Sequence, residues 1–179
     1  MKSYKIIILI IILHLSAFSV LAQQKFKIHD LTFAGNTLLT SENLQKQINT
    51  KPKKKFEKLL FWKKNPDFIL PDFENDIDRL KNHYRRNGFL NPHIWYKVDT
   101  LTNKNQLDIA INIIENAYVK VSTVNLNLSG HNLDANLLPT LKKKVLVQQD
   151  HRFIDEHIFK TEENLIETLA NLGYPFATV

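Results

Sequence analysis

The sequence predicts an α+β fold of two tandem units, each ordered strand, helix, helix, strand, strand, with the second unit incomplete. Three observations predict it. Two stretches of alternating apolar residues each stop at a glycine, Gly35 and Gly130. Two helical patterns then end on matching punctuation, Asn87-Gly88-Phe89 and Leu172-Gly173-Tyr174. A pair of alternating stretches follows the first helical pattern and has no counterpart after the second.

The first strand is expected over Phe26 to Phe33, where Leu31 and Phe33 alternate with polar residues after a small shift at Ile28. Its counterpart runs from Tyr118 to Leu128, and Val124, Leu126 and Leu128 form a strict period-two face. A short helix follows each. Thr40 or Ser41 caps the first, which carries Leu44, Gln47 and Ile48. The second carries Leu133, Leu137, Leu138 and Leu141, with Asp134 near its start, and Pro139 makes it either kinked or late to begin.

A longer helix opens at Pro71-Asp72, because proline suits the first helical turn and aspartate favours the positive end of the helix dipole. Phe73, Ile77, Leu80 and Tyr84 share one of its faces, and Ile158, Leu165, Ile166, Leu169 and Leu172 are expected to do the same in the second unit. Gly88 and Gly173 suit the left-handed turn that ends a helix, and Phe89 and Tyr174 can fold back on the last turn. In the first unit, Ile94, Tyr96 and Val98 alternate with His93, Trp95 and Lys97. Leu107, Ile109, Ile111 and Ile113 alternate in the same way after a turn at Thr102 to Asn105, which makes a hairpin. The second unit reaches Val179 where its second strand would begin, so the sequence is a fragment or a truncated gene product, or a partner completes the sheet.

Residues 1–22 have the layout of a secretory signal peptide: Lys2 and Lys5, an aliphatic run from Ile6 to Leu15, and a small-x-small site at Val20-Leu21-Ala22. The alternative is an uncleaved anchor, although the run is shorter than the roughly 20 residues of a membrane span. The 179 residues include no cysteine, which excludes disulfides, thiolate metal sites and a lipid-modified cysteine. The net charge is +6, and two of those charges belong to the signal segment. Nucleic acid is therefore not expected as a partner.

Catalytic patterns are absent from the sequence. The histidines are scattered, and His151 and His157 around Asp155 and Glu156 suit a solvated helix start better than a metal site. All four glycines are used in turns, so there is no phosphate loop. Ser41 and Ser129 lack a histidine–acid partner, and Asp76 and Asp78 do not share a helix face. The chain is not expected to be an enzyme, to hold a cofactor, or to take a small-molecule substrate.

The order of these motifs resembles the POTRA repeat, the polypeptide-transport-associated domain of the BamA/TamA outer-membrane assembly superfamily. The residues that carry the resemblance are Phe33-Ala34-Gly35-Asn36, Asp76-Ile77-Asp78-Arg79-Leu80, Tyr84-Arg85-Arg86-Asn87-Gly88-Phe89 and Ile113-Ile114-Glu115-Asn116. Asn116 stands where the family usually has glycine. The second repeat matches through Leu126 to Gly130 and Asn171 to Tyr174, with Thr161-Glu162 in place of the aspartate-isoleucine pair. The resemblance divides the chain into a first repeat over 23–116 and a second over 117–179, truncated before its last strand. The stretch at Thr50-Lys51-Pro52 looks most like the TamA-like branch.

The resemblance implies a periplasmic module of an outer-membrane protein assembly or translocation barrel, joined to the outer membrane through a C-terminal barrel that this sequence does not contain. Its partners are expected to be unfolded outer-membrane proteins or periplasmic accessory proteins. The rival reading is a stand-alone cell-envelope adaptor or scaffold without client handling. In the family the second strand commonly lies at an edge, which makes His93, Ile94, Trp95, Tyr96, Lys97 and Val98 the candidate binding residues, by strand addition. Trp95 either contacts a partner or packs under the inserted loop. That insertion, Lys51 to Asp67, mixes Lys53, Lys54, Lys55, Lys63 and Lys64 with Phe61 and Trp62. It is a solvated loop pinned by its aromatics, a contact with an anionic membrane, or a dock for an acidic partner.

Overall fold

The computed structural model describes residues 25–52, 67–101, 104–131 and 133–179. The signal segment and the basic-aromatic residues Lys53, Lys54, Lys55, Phe61, Trp62, Lys63 and Lys64 lie outside them. The element order is β1 (Lys27–Ala34), α1 (Ser41–Gln47), α2 (Leu70–Arg86), β2 (His93–Leu101), β3 (Gln106–Ile114), α3 (Leu137–Lys142) and α4 (Asp155–Asn171).

The first unit is the expected α+β sandwich. Its three strands lie in the order β1-β3-β2, with β1 parallel and β2 antiparallel to β3. The alternating residues Leu107, Ile109, Ile111 and Ile113 put one face of β3 into the core. There they meet Ile28 and Leu31 from β1, Ile94 from β2, and Phe73, Ile77, Leu80 and Tyr84 from α2. The shift expected at Ile28 is a register break between Ile28 and Asp30. Both helix starts are as the sequence implies. The Thr40 hydroxyl accepts from the Asn43 amide at 3.3 Å, and Pro71 sits in the first turn of α2.

Both long helices end in one repeated device. Gly88 donates to the Arg85 carbonyl and Phe89 to Tyr84; Gly173 donates to Ala170 and Tyr174 to Leu169. These paired bonds are the Schellman closure, and they need a left-handed residue just after the helix. Gly88 and Gly173 supply it, at φ 85° and 92°. Phe89 then folds back on Tyr84, with ring centroids 5.5 Å apart.

The second unit departs from expectation in two ways. Among the described residues, 121–130 join no ladder, although Leu126 and Leu128 pack on the second core of Leu137, Leu141, Leu165 and Leu169. The physical reason lies in the first unit, where the strand that pairs with β1 in the sheet is β3. Among the described residues the second unit has no strand equivalent to β3, so an apolar alternation there has nothing to pair with. For the same reason Ile158, Ile166 and Leu172 of α4 and its end are exposed rather than buried. Pro139 lies in the first turn of α3, so that helix begins late and is not kinked by it. Asp134 holds the turn before it, its carboxylate accepting from the Asn136 amide at 2.6 Å.

The two units are joined through backbone. Val119 donates to the Gly88 carbonyl at 2.8 Å, and Phe153 donates to the Val119 carbonyl at 2.9 Å. The Arg152 guanidinium donates to the Asn87 carbonyl at 3.0 Å and lies 5.2 Å from the Phe89 ring centre. Arg86 and Asp155 add an ion pair across the joint at 3.1 Å. His83 lies beside it. Burial, aided by the Arg86 charge and opposed by Glu156, holds the His83 pKa below the usual histidine value.

Candidate partner-binding edge

Two buried carboxylates hold the frame on which the edge strand sits. Glu115, at the end of β3, is 7% exposed. It accepts from the Thr37 hydroxyl at 2.5 Å, from the Leu38 and Leu39 amides at 3.0 and 3.3 Å, and from the Tyr84 hydroxyl at 3.1 Å. Burial disfavours its charge, but these four donors outweigh burial and keep its pKa below the ordinary glutamate value. The same burial, with the Glu115 charge beside it, pushes the Tyr84 phenol up.

Asp76 on α2 is fully buried. It accepts from the Asn49 and Thr50 amides at 3.0 and 2.8 Å and from Arg79. Here too burial is overcome by the donors, led by Thr50, and the pKa falls. In the second unit Thr161 takes this place, its hydroxyl accepting from the Leu146 amide at 3.0 Å. Thr161 therefore substitutes for the missing aspartate in function as well as in position.

The sheet has two edges, and they differ. The start of β1 is closed by an antiparallel bridge from Lys27 to Asp67 and by a bond of 2.7 Å from the Phe68 amide to the Phe26 carbonyl. Its register break distorts the edge further. β2 is a regular strand of nine residues, paired to β3 at every position from His93 to Leu101. Among the described residues its other side meets no strand.

The six candidate residues divide by alternation. Ile94 is buried, and Tyr96 and Val98 are half-buried against the core, Tyr96 edge-on to Phe73 at 4.9 Å. His93, Trp95 and Lys97 point to the open face. Trp95 is 42% exposed and its ring lies 5.0 Å from that of His93. Pro92 immediately precedes the strand and cannot donate to a neighbour.

Register on the open face assembles residues that the sequence reading did not single out. Asp30 pairs with Asp108, and Asp108 with Asp99, so three carboxylates form one row across β1, β3 and β2. His29 contacts Asp108 at 2.8 Å and Lys97 bridges to Asp99 at 3.2 Å. The row could be found only once register was known, because its members are far apart in the chain. No group of three or more histidine, aspartate or glutamate side chains is placed to hold a metal ion among the described residues.

A three-stranded sheet backed by two helices, with β2 at one edge, defines a class of small α+β module. Residues 26–116 match the family model described as POTRA: Surface antigen variable number repeat, and that span is just over half of the chain. The chain belongs to the POTRA family. A crystal structure of Haemophilus influenzae BamA POTRA3-5 is similar at 24% identity with a TM-score of 0.46, over 87% of this chain and 58% of that one. The chain thus spans less than two thirds of that structure's length.

Proposed function

We propose that the chain is a periplasmic POTRA module of an outer-membrane protein assembly or translocation barrel. It binds unfolded clients or accessory proteins by adding their extended segments to the β2 edge. The observation that carries this reading is the contrast between the two sheet edges: β1 is bridged and irregular, whereas β2 is long, regular and, among the described residues, paired on one side. Backbone pairing is nearly blind to sequence, which suits a receptor for many segments. The signal-peptide pattern of residues 1–22 supports an exported location. The matching helix closures at Gly88 and Gly173 support reading 23–116 and 117–179 as successive repeats.

A photo-crosslinker placed at Trp95 tests the proposal. Unfolded outer-membrane proteins are expected to be trapped in preference to the same proteins once folded. Capture of folded envelope proteins alone would support the adaptor reading and remove the client-binding one.

A further inference from the structure

Resting on that reading of the β2 edge, we infer that the edge selects its occupant by charge. The occupant is an extended segment of an unfolded client that carries a basic side chain opposite Asp99 and an aromatic side chain opposite Trp95.

The selection follows from the register of the open face. Side chains directly across two neighbouring strands touch, and like charges there repel. Asp30, Asp108 and Asp99 already occupy one such row, which ends at β2. Lys97 answers Asp99 and His29 contacts Asp108, yet the row stays net negative whether or not His29 is protonated. A strand added beside β2 extends the row by one position. A lysine or arginine there meets the carboxylate of Asp99, whereas a glutamate adds a fourth like charge.

Four residues back along β2, Trp95 presents a half-exposed ring with His93 beside it. Aromatic pairs are among the favourable cross-strand neighbours. Because strands advance in step, the client's basic and aromatic positions are also four apart, in parallel or antiparallel pairing. The intervening residues opposite Tyr96 and Val98 lean towards the core and are apolar.

The test uses nine-residue synthetic peptides and the full chain labelled with nitrogen-15. One peptide has valine at alternate positions, with phenylalanine and lysine four apart on the other face. The second replaces that lysine with glutamate. The lysine peptide is expected to shift the amides of 93–101 and to bind about five- to tenfold more tightly. That ratio should collapse in the D99N/D108N double variant and in molar salt, which screens exposed charge. Equal affinities at the β2 edge, or a ratio unchanged in the double variant, would overturn the selection while leaving strand addition intact. If neither peptide shifts the β2 amides, strand addition itself falls, and the selection with it.

Discussion

The Tyr84 hydroxyl donates to the Glu115 carboxylate at 3.1 Å, tying the last turn of α2 to the end of β3. The same carboxylate gathers the loop between β1 and α1 through Thr37, Leu38 and Leu39. Three parts of the first unit, distant in sequence, thus converge on one side chain. Removing it strands buried donors, whereas removing Tyr84's hydroxyl leaves the other three in place. Glu115→Ala is expected to cost about 2–4 kcal/mol and Tyr84→Phe about 1 kcal/mol. Urea unfolding of the two variants checks the order as well as the size.

Asp76 holds the chain after α1 by two backbone amides, and asparagine offers only one acceptor oxygen for them. Asp76→Asn is therefore expected to cost about 1–3 kcal/mol, and Asp76→Ala more. Thr161→Val removes the equivalent oxygen from the second unit with little change of shape. It should cost about 1 kcal/mol, less than either, since a single amide is released. Thermal unfolding of the three variants measures this.

Acid should destabilise the protein in two stages. Glu115, Asp76 and His83 all have lowered pKa values, so each binds its proton more readily in the unfolded chain. Their contribution is complete above the ordinary values and is lost as pH falls through the folded ones. The loss begins below 6.5 for His83 and below 4.5 and 3.8 for Glu115 and Asp76. His83→Gln should flatten the upper part of a melting-temperature profile and leave the lower part steep.

The joint between the units offers a separate test. A methyl group on Gly88 would approach the Phe153 carbonyl to 2.6 Å, whereas one on Gly173 would meet nothing within 4 Å. Both glycines have positive φ, so both alanine variants strain the backbone. Only Gly88→Ala should also loosen the joint, as should Arg152→Ala by freeing the Asn87 carbonyl. Broadened interdomain distances in small-angle scattering of these two variants, with Gly173→Ala unchanged, is the expected result.

Much of the first unit was legible in the sequence because its signals are local. Alternation marked β2 and β3, Thr40 and Pro71 marked helix starts, and Gly88 marked an end. The sheet order and the buried roles of Asp76 and Glu115 were not legible, since a carboxylate in a sequence gives no sign of donors that come from 26 and 78 residues away. Alternation over Val124 to Leu128 misled for a related reason. It records a face suited to a core, while a strand also needs a neighbour, and the neighbour of β1 comes from far along the chain. The edge residues His93 to Val98 were legible as a strand, and their separation into inward and outward faces held. The acidic row beside them required register, which no single stretch encodes.

The repeated helix closure has a mechanical consequence. At Gly88 the turn is a socket: its carbonyl receives Val119, and Arg152 braces the carbonyl just before it. The identical turn at Gly173 has open space around its α-carbon. Because the closure fixes where its carbonyls point, the direction taken by whatever docks there is set by the helix end and not by the linker. The second unit therefore leaves the first in a direction keyed to the last turn of α2.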